Sequence, residues 1–121
     1  MAIDKLAIGR MGEEAAAKAL KKNGYSIVTK NFRCRFGEID IIAKDGRTLV
    51  FVEVKTRASD AFGTPGASVD ERKQRRIITA SSVYMNENGL DDAPVRFDVV
   101  GVDTTDGKVS RVEIIKDAFG A

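Results

Sequence analysis

The sequence has no histidine, a single cysteine and only two prolines. Without histidine there is no Ser-His-Asp or Cys-His relay, no imidazole general base, and no His-containing zinc or non-haem iron site. One thiol, Cys34, forms neither an internal disulfide nor a multi-thiolate metal site, which points to a reducing, cytoplasmic setting. No apolar run approaches the ~20 residues of a membrane span, so no membrane partner is expected. Met1–Arg10 lacks the basic start and apolar stretch of a secretory signal. Repeats and low-complexity tracts are absent too. Any catalysis therefore falls to carboxylates, lysines and bound ions.

What is present is 121 residues, enough for one domain over 1–121 that hides roughly two-thirds of its unfolded surface. The net charge of +2 conceals an asymmetry. Residues 1–76 carry 16 basic and 10 acidic side chains, whereas residues 77–121 carry 4 and 8. A basic half suits a polyanionic partner such as nucleic acid, although soluble proteins also show such asymmetry without one.

Asp4–Asn23 reads as a helix ended by Gly24, with Ile8, Met11, Gly12, Ala15, Ala16, Ala19 and Leu20 on one face. Glu13 falls at the edge of that face. Three strands follow, Tyr25–Arg33, Phe36–Lys44 and Thr48–Arg57, the last two joined at Asp45-Gly46. The loop Ala58–Ala67 leads to a second helix that starts at Ser68, with Glu71 completing a capping box, and stops at Asn88-Gly89. Val95–Asp103 and Val109–Lys116 are the closing strands, turned by Asp106-Gly107. The order αβββαββ indicates an α/β protein, a mixed β-sheet flanked by helices.

Strand alternation sets Glu38 and Asp40 on one face of their strand, with Ile39 and Ile41 on the other. On the next strand Glu53 and Lys55 share a face. Two acids and a lysine thus converge among apolar neighbours, where charges are costly unless paired or bound to an ion. Carboxylates without imidazole or thiolate make a hard oxygen site suited to Mg²⁺ or Mn²⁺. Asp40 and Glu53 would hold the cation, Lys55 would orient water or offset developing charge, and Glu13 would join if its helix packs over this edge. The plainer alternative is an ordinary Glu53–Lys55 pair beside two solvated acids.

At these residues the sequence resembles the YraN-like family, small bacterial proteins predicted to be endonucleases and distantly related to archaeal Holliday junction resolvases. The resemblance rests on Gly9-x-x-Gly12-Glu13, Gly37-Glu38-Ile39-Asp40, Phe51-Val52-Glu53-Val54-Lys55-Thr56-Arg57 and Arg96-Phe97-Asp98-Val99-Val100. It implies a restriction-endonuclease-like fold and a PD-(D/E)xK metal site, in which Asp40, Glu53 and Lys55 match the signature acid, acid and lysine. Glu13 matches the helix glutamate of resolvase-type members. Ile39 stands where the signature has proline. The implied function is a Mg²⁺-dependent endodeoxyribonuclease acting on branched or structured DNA, with a homodimer suited to a two-fold junction. The alternative is a nucleic-acid-binding or adaptor module that keeps the nuclease fold without turnover.

Phosphate contacts are expected from Arg33, Arg35 and Arg57 around the site, and from Arg72, Lys73 and Arg76 on the second helix. Lys73 lies within the helix's apolar stripe of Val69, Ile77, Ala80, Val83 and Tyr84. It either snorkels from a packed face or aims its ammonium at the metal site or a phosphate near it. Cys34 reads as structural, and Arg96–Asp98 as a structural pair.

Overall fold

The computed structural model describes residues 5–59 and 63–120. Asp4, expected to open the first helix, and residues 60–62 of the loop lie outside them. Helix α1 spans Lys5–Lys22. Its buried residues Gly12, Ala16, Ala17 and Leu20 form a narrow stripe of mostly small side chains, so the helix lies close to the sheet. Lys21 and Lys22 occupy its last turn, where positive charge complements the helix dipole. Gly24, at φ +90°, then reverses the chain.

The strands are β1 (Ser26–Cys34), β2 (Gly37–Asp45), β3 (Thr48–Ala58), β4 (Val95–Thr105) and β5 (Lys108–Phe119), hydrogen-bonded in sequence order. Only β3 and β4 run parallel, and the chain between them contains helix α2, Glu71–Glu87. Helices cover the two faces. Ala16, Ala17 and Leu20 of α1 pack with Ile41, Ala43, Val50, Val52, Val100 and Val102. Ile77, Ala80 and Tyr84 of α2 pack with Ile42, Leu49, Phe51, Phe97 and Val99 on the other side. The central strands are covered on both faces, which is why Leu49–Val52 and Val99–Val100 read as unbroken apolar runs.

Three details differ from the sequence expectation. Helix α2 begins at Glu71, not Ser68, and its N-cap is Asp70, whose carboxylate accepts the Lys73 amide at 2.8 Å. Ser68 is used instead in a 3₁₀ turn, Gly66–Ser68, donating to the Pro65 carbonyl at 2.6 Å. Val69 must stay extended to reach the core, where it is 3% exposed, so the helix starts only after it. Strand β5 continues to Phe119 past Asp117, a left-handed residue at φ +53°. The reward is Phe119 stacked on Phe97, centroids 5.3 Å apart. The third difference lies in β2: Ile39 packs on the α2 side and Ile41 on the α1 side. Alternation is broken at Asp40, opposite the left-handed Asn31 (φ +55°).

Candidate functional site

The break at Asp40 is where the site forms. Strands β2 and β3 pair from Asp45↔Thr48 to Ile41↔Val52, while β3 stays paired with β4 as far as Ala58↔Thr104. Beyond Ile41 the first two strands separate, and the Asp40 carboxylate enters the gap. Its Oδ2 accepts the Val54 amide at 2.8 Å, in place of a backbone carbonyl. The opening is a cleft of about 480 Å³ whose walls include Glu13, Glu38, Asp40 and Lys55.

Glu13 reaches this cleft because α1 lies directly on β3: a Cβ on Gly12 would collide with Thr56 Oγ1. Its carboxyl is pushed above the usual range, first by burial and then by the Asp40 and Glu38 carboxylates. Glu53 is 6% exposed. Burial, then contact with the Asp40 carboxyl, raises it to about 8. Lys73 opposes that shift, its Nζ standing 3.4 Å from Glu53 Oε2.

Asp40 is therefore the hub, touching Glu53 and acting electrostatically on Glu13. Among the described residues no three carboxylates or thiolates close on one point as a cation cage. The pair Asp40–Glu53 nevertheless fits a hard divalent cation in donor chemistry. Two carboxylates are held together, Glu53 buried and Asp40 partly buried, and added positive charge would relieve their repulsion.

The expected phosphate-binding residues divide into two groups. Arg33, Arg35, Lys73 and Arg76 line one basic recess of about 670 Å³ beside the cleft. Arg72 lines a neighbouring recess with Lys73 and Arg76. Arg57 is apart from these: Asp103, its register partner on β4, holds it at 3.3 Å, and it lines neither the basic recess nor the cleft. Arg10 and Asn31 line the cleft without having been expected there. Arg10 stands three residues before Glu13, on the same side of α1, a signal the helical period contained. Asn31 had no signal beyond asparagine's tolerance of the left-handed region. Cys34 is half-buried against the α2-side core, and Asp98 pairs with Arg96.

Fold and site define an α/β protein, a five-stranded mixed sheet between two helices, with a carboxylate–lysine cleft where two strands part. None of its described helices is long and apolar enough to cross a membrane. The profile of the family described as "Uncharacterised protein family UPF0102" matches residues 12–102. UPF0102 proteins of Geotalea uraniireducens and Syntrophus aciditrophicus are each 51% identical to this chain, over 116 and 114 residues. Those matches cover 96% and 94% of this chain and 91% and 89% of the relatives. A UPF0102 protein of Symbiobacterium thermophilum is 49% identical over 115 residues, covering 94% of this chain and 97% of its own. The chain belongs to the UPF0102 family, and the matched stretch contains Glu13, Asp40, Glu53, Lys55 and Lys73.

Proposed function

We propose that this protein is a metal-dependent endonuclease, hydrolysing phosphodiesters of branched or structured DNA on a restriction-endonuclease-like fold. The observation that carries this reading is the Asp40 carboxylate entering the gap where β2 and β3 separate, beside the buried Glu53 and with Glu13 and Lys55 on the wall of the cleft that Asp40 lines. The element order αβββαββ, with acid on β2 and Glu-x-Lys on β3, is compatible with a PD-(D/E)xK site. Asp40 and Glu53 would hold Mg²⁺ or Mn²⁺, with Glu13 assisting from α1. When bound, the cation supplies Lewis-acid polarisation of the phosphodiester and makes water more acidic. The chain's own groups do the rest. The Val54 amide fixes the Asp40 carboxylate, the Lys55 ammonium orients water or offsets charge developing on the phosphate, and Arg33, Arg35, Lys73 and Arg76 hold neighbouring phosphates.

Asp40→Ala and Lys55→Ala should each abolish Mg²⁺-dependent cleavage and leave the circular dichroism spectrum unchanged. Purified protein that cuts no linear, flapped or four-way DNA with Mg²⁺ or Mn²⁺ would overturn the proposal. One contact favours a second reading, a DNA-binding module without turnover: the Lys73 ammonium beside Glu53 already supplies positive charge there. Binding with steep salt dependence in EDTA, alongside absent cleavage, would select that reading.

A further inference from the structure

We propose that Phe36, at the tip of the β1–β2 hairpin, is a stacking platform for an unpaired base, so that the basic recess beside the cleft takes single-stranded nucleic acid. This deepens the function proposed above and rests on its premise of a nucleic-acid substrate. Arg35 and Phe36 are the two residues of the turn, closed by the pair Cys34↔Gly37. The Phe36 side chain is not drawn into either core, and the residue remains 44% exposed. Among the described residues the other large exposed apolar side chains, Leu6, Val28 and Val109, belong to α1, β1 and β5. Among the described residues Phe36 is thus an exposed ring set among cations and not part of a contiguous apolar patch.

The Arg35 guanidinium lies 4.9 Å from the ring centroid. On one side the ring shares a recess with Arg72, Arg75 and Arg76 of α2, and on the other it shares the larger recess with Arg35, Lys73 and Arg76. The acid in the larger recess, Glu38, is taken by Arg33 at 3.4 Å. An aromatic face flanked by guanidinium groups complements a base with a phosphate on either side of it. Bases within a duplex are already stacked and cannot reach such a ring, so the complementary ligand is a strand with exposed bases. The recess continues towards the carboxylates, because Arg33 and Glu38 line both it and the cleft, and its Lys73 touches Glu53. A strand anchored at Phe36 therefore has its next phosphates near Asp40.

The test uses the full chain in EDTA, with an oligo-dT strand and a mixed-sequence duplex as probes. Phe36→Ala should weaken oligo-dT binding about fivefold or more, the smaller figure being the low end for losing one stacked base. Duplex binding should change by less than about twofold, since phosphate contacts remain. The slope of log affinity against log salt should stay the same, because Phe36 carries no charge. The sequence contains no tryptophan, so Phe36→Trp introduces a single indole, whose fluorescence should be quenched by oligo-dT while affinity is kept. Unchanged oligo-dT binding by Phe36→Ala, an equal loss on both probes, or an unquenched indole would each overturn the assignment. A wild-type chain that binds neither probe would do so as well. Phe36-dependent binding by a protein that never cleaves DNA with Mg²⁺ would sustain this inference and remove the hydrolase.

Discussion

Asp98 and Glu53 stand one register step apart on the neighbouring strands β4 and β3, and they face opposite sides of the sheet. Both are buried acids, yet their surroundings are opposite in kind. The Asp98 carboxylate accepts Arg96 Nε at 2.8 Å and the Asp117 amide at 3.0 Å on one oxygen. Its other oxygen accepts the Tyr25 hydroxyl at 2.7 Å and Arg96 Nη2 at 3.0 Å. Arg96 also donates to Asp45 at 2.9 Å, and burial together with Asp98 holds the Tyr25 hydroxyl's proton well above its usual range. Every lone pair that matters is engaged, and charge is balanced. Glu53 instead meets a carboxylate on one side and a single ammonium at 3.4 Å on the other. Fully paired buried charge locks strands together, whereas buried charge left in conflict marks a place where a ligand has something to gain.

The sharpest way to break this contrast is to remove Asp98. Asp98→Ala leaves the guanidinium of Arg96 and the hydroxyl of Tyr25 facing a void, and should cost about 3–5 kcal/mol, the range for breaking one half of a buried ion pair. Urea unfolding at neutral pH reads it. A loss below about 1 kcal/mol, the scale of exposed pairs, would mean the cluster is no more than surface electrostatics.

Glu53→Gln should act in the other direction. With its carboxyl raised from 4.5 to about 8 in the folded protein, Glu53 keeps its proton when folded and loses it when unfolded between those values. The unfolded state then binds fewer protons, so wild-type stability falls as pH rises through this window. Glutamine removes that penalty, and in EDTA the variant should gain on the order of 4 kcal/mol over wild type by pH 8, with little gain near pH 4. Urea midpoints at the two pH values measure the difference. Equal midpoints at pH 8 would show that Glu53 is as well satisfied as Asp98.

Much of this contrast could be read from residue order, and part of it could not. The small-residue face of α1, the end of α2 at Asn88-Gly89 and the Asp106-Gly107 turn follow from local rules that tertiary contacts do not override. Glu13, Asp40 and Lys55 also come to one cleft, as helix and strand periods imply. The facing of Ile39 departs from simple alternation because alternation presumes an unbroken ladder. The break depends on Asn31 across one strand pair and on the Val54 amide across the other, neither of them local to Ile39. The start of α2 is not local either: Ser68 and Asp70 are both good caps, and burial of Val69 decides between them. The extra length of β5 depends on Phe97, twenty-two residues from Phe119 in the chain.

Gly12 tests how the unsatisfied cluster is held open. Gly12→Ala forces a methyl group against Thr56 Oγ1 and must lift α1 from β3, an overpacking cost of about 1–3 kcal/mol. Thr56→Ala in the same chain removes the hydroxyl and should return part of that loss, a coupling that a double-mutant cycle measures. Additive effects would mean that α1 does not sit on Thr56, and would detach Glu13 from the cleft.

The smallest expected effect sharpens the contrast from the satisfied side. Asp45 lies at the rim of the Asp98 cluster, where the Arg96 hydrogen bond holds its carboxyl below the ordinary value of 3.8. A lowered carboxyl stabilises the fold above the unfolded-state value and ceases to do so as pH falls through the folded one. Asp45→Asn should therefore lower the urea midpoint at pH 7 and converge on wild type at pH 2–3. Because the residue is open to solvent, added salt should shrink the pH 7 difference. A difference that survived both acid and salt would make Asp45 part of the buried network, and the boundary between paired core and solvated rim would move outward by one residue.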